Sequence, residues 1–139
     1  MDGKTEYLQL LQEPISRMST ISSIFKGFTA TIVSGLSLIS YSTMNIAVLA
    51  LSFLPVVTFL ILDLYYLRLE RQFRYLFDQV REDKHKIDFS MRLTNNPQEL
   101  KQAKARIRDC IKSPSIYLFY PMMILMLVVV FILKFCEII

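Results

Sequence analysis

A chain of 139 residues that is 53% hydrophobic and 20% charged, with a net charge of +4, is too apolar for an ordinary soluble domain of its size. The same apolar content excludes disorder, and the length excludes a multidomain enzyme, because roughly half of the residues fall in stretches suited only to lipid. Gly27 to Leu62 and Ser113 to Leu133 contain no Asp, Glu, Lys, Arg or His, which points to an all-α integral membrane protein with three transmembrane helices.

Residues 1–25 read as amphipathic and helical. Leu8 and Leu11 share one face, and Pro14 is expected to restart the helix with Ile15, Met18, Ile21 and Phe25 near one side. Such a segment lies on the membrane or against the cytoplasmic helices. Asp2, Glu6 and Glu13 stand beside Lys4, Arg17 and Lys26, so no basic stretch leads directly into an apolar run and cleavage site. The N-terminus is therefore expected to persist.

The uncharged stretch after Lys26 would measure roughly 54 Å as one helix, against about 30 Å of hydrocarbon. It must fold back on itself. Ser40, Ser42, Thr43 and Asn45 provide the polar break, so residues 26–67 form a hairpin with helices from about Lys26 to Tyr41 and from Asn45 to Leu67. Gly27, Thr31 and Gly35 sit at four-residue spacing, which lets helix backbones approach closely. On another side, Ala30, Ser34, Ser37 and Tyr41 could line a narrow wet lumen once several copies assemble. The two readings are compatible, and three short spans enclose no pore alone. The spans hold no buried ionisable group of the kind that marks proton coupling or voltage sensing. Asp63 comes closest, with Arg68 or Lys26 as a pairing partner, or a place in an ion path, as its alternatives.

The second span continues past the lipid boundary. From Asp63 to Arg81 the sequence keeps strong helix formers without Gly or Pro, and Glu70, Arg74 and Asp78 stand at i, i+4 spacing. Tyr65, Tyr66 and Arg68 mark interfacial depth. Residues 68–112 are thus expected to form a cytoplasmic helical hairpin extending from the second span. It turns through Glu82 to Asn95 and restarts at Asn96, Pro97 and Glu99, which resemble a capping box. On one helix from Glu99 to Lys112, Lys101, Lys104, Arg108 and Lys112 fall within about 80°, beside an apolar stripe of Leu100, Ala103, Ile107 and Ile111. That ridge either snorkels beside anionic headgroups or binds phosphates of a nucleotide or short oligonucleotide.

Residues 113–139 hold the third span, starting at Pro114 behind a Ser113 cap and running to about Phe135. Met122 to Leu133 is apolar all round, and Lys134 and Glu137 roughly cancel beyond it. Twelve of the 16 Lys and Arg residues lie from Arg68 to Lys112, three precede the first span, and the hairpin turn has none. The N-terminus and the long connection are therefore expected in the cytoplasm and the C-terminus outside.

Nothing in the sequence assembles a catalytic set. His85 is the single histidine and reads as a solvated loop residue without metal-ligating company. Gly3, Gly27 and Gly35 leave no phosphate-cradling loop. Cys110 and Cys136 form no disulfide framework. No enzyme activity, cofactor or metal is expected.

From Pro14 to Arg81 the residues Ile15-Ser-Arg17-Met18, Lys26-Gly27, Leu54-Pro55 and Asp63-Leu-Tyr65-Tyr66-Leu-Arg68-Leu-Glu70-Arg71-Gln-Phe73-Arg74 resemble small bacterial multi-span membrane effectors of anti-phage defence. These include the Hailong-type membrane effector and SLATT-like channel-forming proteins. The resemblance implies a homo-oligomer, with a tetramer as one candidate stoichiometry, in the bacterial inner membrane. It also implies a nucleotide-signalling enzyme as partner, and a pore that depolarises the cell when its nucleic-acid-like cytoplasmic signal changes. Combined with the residue-level reading, the expected gate comprises Ser34 and Ser37 with the exit cluster Asp63, Tyr66, Glu70, Arg71 and Arg74. Ligand contact is expected at Lys101, Lys104, Arg108 and Lys112. The competing expectation is a non-conducting membrane anchor or adaptor that docks a soluble partner.

Overall fold

A computed structural model describes residues 2–43 and 45–138. Among them the chain is all-helical: α1 is Gly3–Thr43, α2 Ile46–Leu51, α3 Phe53–Arg81, α4 Pro97–Gln102, α5 Ile107–Ile111 and α6 Pro114–Ile138. Three stretches are long and apolar enough to cross a membrane: one in α1, one through α2 and α3, and one in α6. The chain divides into two compact units, Met1–Ser22 with Leu64–Ile111, and Ser23–Asp63 with Lys112–Ile139.

In the first unit, Tyr7 and Leu11 stand one turn apart on α1 and bury themselves with Phe73, Leu76 and Val80 of α3. Leu8, Ile15, Met18, Phe77 and Leu93 close over this core. The expectation that Pro14 restarts the helix is corrected: Pro14 lies inside an unbroken α1. Its missing N–H removes one backbone bond at a cost of about 3 kcal/mol. Burial of Leu11, Ile15 and Met18 on both sides of it offsets that cost.

The loop after α3 runs from residue 82 to 96 without regular structure. At its start Asp83 takes a φ of 58°, and the backbone bonds Lys84 N to Gln79 O and Asp83 N to Val80 O close a Schellman motif over the last turn of α3. At its end Asn96 caps α4 by accepting from the Gln98 N–H at 3.1 Å. The single helix expected from Glu99 to Lys112 does not exist. A second Schellman motif stops α4: Ala105 N donates to Leu100 O and Lys104 N to Lys101 O, with Lys104 in the left-handed position at φ 51°. Arg71 Nη1 on α3 takes up the Lys104 carbonyl at 2.7 Å. Ala105 and Cys110 are buried instead of Ile107 and Ile111, which are exposed.

In the second unit the buried positions recur at spacings of three, four and seven. They include Thr29, Val33, Ser37 and Ser40 of α1; Leu49, Ser52, Val56 and Asp63 along α2 and α3; and Ile116, Tyr120, Leu127 and Lys134 of α6. This is the seam of helices packed side by side. The outward faces carry Phe28, Leu38, Leu54, Leu118, Met122 and Leu125, all exposed. A seam that mixes Thr29, Ser40, Ser52, Asp63 and Lys134 with apolar residues, beneath outward faces of large apolar side chains, departs from the pattern of a water-soluble bundle.

The second span is interrupted where a continuous helix was expected. Pro55 has no N–H for the Leu51 carbonyl, and Ser52 between α2 and α3 tightens the chain, its N–H donating to Leu49 O and its hydroxyl to Val48 O, each at 3.1 Å. Asn45 opens α2 by accepting from the Ala47 N–H at 2.9 Å. Met44, inside the predicted hairpin turn, lies outside the described residues. α6 starts at Pro114 as expected and runs past Phe135.

Candidate functional site

The interior of the second unit is where ionisable groups meet apolar helices. Asp63, with no exposed surface, accepts from Lys26 Nζ at 2.5 Å and from the Tyr120 hydroxyl at 3.0 Å. One carboxylate thereby ties α1, α3 and α6 together, and two donors satisfy the charge that burial would otherwise penalise. Of the alternatives for Asp63, the ion pair with Lys26 is formed.

At the other end of the same bundle stands a group that the sequence reading missed. Lys134 is only 1% exposed and donates to both the backbone carbonyl and the hydroxyl of Ser40. Lys134 is thus a buried ionisable group within the third apolar helix, where none was expected. Ser40 lies in the last turn of α1, where free carbonyls and the helix dipole favour a cation. Glu137, expected to balance this charge, has a side chain outside the described residues; no carboxylate pairs with Lys134 among those described. The signal was present in the heptad phase that places Lys134 below Tyr120 and Leu127. Ser40 lies fourteen residues after Lys26, and Lys134 fourteen after Tyr120, so the two polar levels are separated by about 21 Å along both helices. α1 and α6 run parallel between them.

Ser34 and Ser37 do not share a surface. Ser34 faces outward, whereas Ser37 is buried in the bundle with its hydroxyl lacking a hydrogen-bond partner. Gly27, Thr31 and Ser34 form an outward stripe instead, and a methyl group added at Gly27 or Gly35 would meet no atom within 4 Å. The Thr31 hydroxyl returns to the Gly27 carbonyl at 2.9 Å, so it is satisfied without water.

The remaining expected gate residues belong to the first unit. Glu70 is buried and holds Arg74 at 2.7 Å, Arg71 holds the Lys104 carbonyl, and Tyr66 lines a groove of about 460 Å³ with Leu10, Met18 and Met91. The structure thus pairs Glu70 with Arg74 and joins Arg71 to Lys104, while Asp63 belongs to the second unit. The cationic ridge is not assembled. Lys101, Lys104 and Arg108 are exposed on separate short elements, and Lys112, also exposed, belongs to the second unit. Lys101 clusters with Arg106, a residue the ridge had omitted, beside Pro97 and Gln98.

A clasp fastens the start of α1 to the loop. The Tyr7 hydroxyl donates to the Ser90 carbonyl and lies 3.4 Å from Asp88 Oδ1, its ring stands 5.5 Å from that of Phe89, and Lys4 pairs with Asp83 at 2.7 Å. Burial, followed by the nearby Asp88 charge, pushes the Tyr7 phenol above its ordinary value. The Ser90 N–H bond holds Asp88 below the usual carboxylate value. His85 is half-buried rather than fully solvated and stands 6.3 Å from the Tyr7 ring. Burial raises the Cys110 thiol, which makes it a poor nucleophile. No group of three metal-ligating side chains occurs among the described residues. Comparison of the chain with protein-family models, with curated proteins and with solved structures finds no match.

Proposed function

We propose that this protein is a homo-oligomeric pore of the bacterial inner membrane, a defence effector that depolarises the cell when a cytoplasmic nucleotide or short oligonucleotide signal changes. The observation that supports it most is the outward Gly27, Thr31 and Ser34 stripe, a small and hydroxylated face among exposed apolar residues. In lipid such a face gains most from another helix or from water. Copies joined through α1 provide both, with Ser34 toward the axis.

The first unit receives the signal. Lys101 and Lys104 supply phosphate contacts, and the Arg71 bond to the Lys104 backbone links them to α3, which continues the second span. A ligand with different affinity for the closed and open assemblies shifts their populations by that difference. The N-terminus and the region from Arg68 to Lys112 face the cytoplasm in this reading, as their basic residues favour.

Purified protein reconstituted in liposomes tests the proposal. Ion flux that varies with an added single-stranded oligonucleotide, from particles larger than one subunit, supports it. A tight barrier with stable binding of a soluble protein would favour the non-conducting anchor.

A further inference from the structure

The break at Lys104 separates α5 from Lys101 of α4 and leaves it with a composition of its own. Ile107 and Ile111, one turn apart, are 58% and 48% exposed, while Cys110 on the same helix is buried. In the chain Arg108 follows Ile107 and Lys112 follows Ile111, both exposed, while Arg106 turns back to the Pro97 carbonyl at 3.4 Å. Chain geometry limits where this face can be. Ile111 precedes Pro114, the first residue of α6, by three positions, so it lies within about 11 Å of the start of the third apolar helix. If α6 crosses the membrane, α5 is held at the headgroup level by its own connection.

We infer that α5 is an interfacial wedge for anionic lipid. Ile107 and Ile111 enter the boundary between headgroups and acyl chains, while Arg108 and Lys112, their neighbours in the chain, hold lipid phosphates. Each cation near an anionic surface raises membrane affinity about fivefold, so Arg108 and Lys112 together make the segment sensitive to lipid composition. The inference rests on α6 spanning the bilayer, and it assigns Arg108 and Lys112 to lipid rather than to a soluble ligand. It also explains the α4 stop. One straight helix would fix the angle between Lys101 and Ile107, whereas the left-handed turn at Lys104 lets α5 take its own orientation.

The chain contains no tryptophan, so Ile107→Trp and Ile111→Trp each give a single reporter in the full-length protein. These variants, with Leu118→Trp in α6 as a reference, are reconstituted in phosphatidylcholine vesicles with and without phosphatidylglycerol, carrying brominated acyl chains. Emission at position 118 should be quenched in both lipids. Emission at 107 and 111 should also be quenched, by roughly half again more when phosphatidylglycerol is present, and Arg108→Gln with Lys112→Gln should abolish that increment. Quenching at 118 without quenching at 107 or 111 would overturn the wedge while leaving the span intact. Absence of quenching at 118 would overturn the spanning reading itself. If a single-stranded oligonucleotide changed emission at 107 and phosphatidylglycerol did not, these cations would belong to a soluble polyanion and the inference would fail.

Discussion

Asp63 has no exposed surface and accepts from Lys26 and Tyr120, so its buried charge leans on these donors. Asp63→Asn leaves Lys26 without its counter-charge in an apolar bundle and should destabilise the protein by about 3–5 kcal/mol. Lys26→Met combined with Asp63→Leu should recover most of that loss. Unfolding in mixed micelles with rising detergent strength measures both variants, and equal damage in the single and double variants would contradict the assignment. Tyr7 makes a separate prediction in the loop clasp. Its phenol is raised in the folded state, so the stability it contributes is fully present below the unfolded value of about 10 and is lost as pH rises through the folded value. Tyr7→Phe should cost about 1 kcal/mol at neutral pH and remove this alkaline loss, as followed by amide exchange in residues 83–93. Of these residues, Asp63 was legible because a carboxylate beside a long apolar run must find a partner. Lys134 was not, because a basic residue at a span's end ordinarily snorkels to water, and only the seam through Tyr120 and Leu127 reveals that it turns inward.

At the level of helices, starts were easier to read than stops. Pro114 and Asn96 act through their own backbone or side chain, so local chemistry identified both. Lys104 and Asp83 end helices in a left-handed conformation that glycine usually supplies, and neither side chain announces it. The Arg71 contact that seats the Lys104 turn comes from thirty-three residues away. The correction is directly testable. In a continuous helix Lys104→Gly would cost about 1 kcal/mol, whereas at φ 51° it should stabilise the protein by about 1 kcal/mol. Asp83→Gly should show the same sign less the Lys4 ion pair. Thermal unfolding decides, and a lowered midpoint for Lys104→Gly would restore the single helix. Pro14 misled for the converse reason: its local effect is real, but burial of its neighbours on α3 overrides it.

For the molecule as a whole, the absence of charge showed two apolar stretches, and the length of the first with its polar break at Ser40 to Asn45 divided it into two spans. The polar interior was not visible, because Thr29, Ser37, Ser40 and Ser52 become distinguishable from Thr31 and Ser34 only when the helices pack. That distinction bears directly on function. Ser37, expected beside Ser34 on a lumen, lies within the bundle of its own chain, so the proposed oligomer is built on Gly27, Thr31 and Ser34. Gly27→Ala should weaken assembly through α1 without disturbing the subunit, since the added Cβ meets nothing within 4 Å. Native mass spectrometry in detergent should then show smaller species with unchanged helicity, and undiminished oligomers would place the interface elsewhere. The most direct measurement is ion flux through liposomes carrying Ser34→Cys in a background without Cys110 and Cys136, before and after a charged, membrane-impermeant thiol reagent. The proposed pore conducts before modification and is blocked after it, while Leu118→Cys on the lipid-facing side of α6 is unaffected. No flux at all, or flux indifferent to modification at position 34, would contradict a conduit formed around α1.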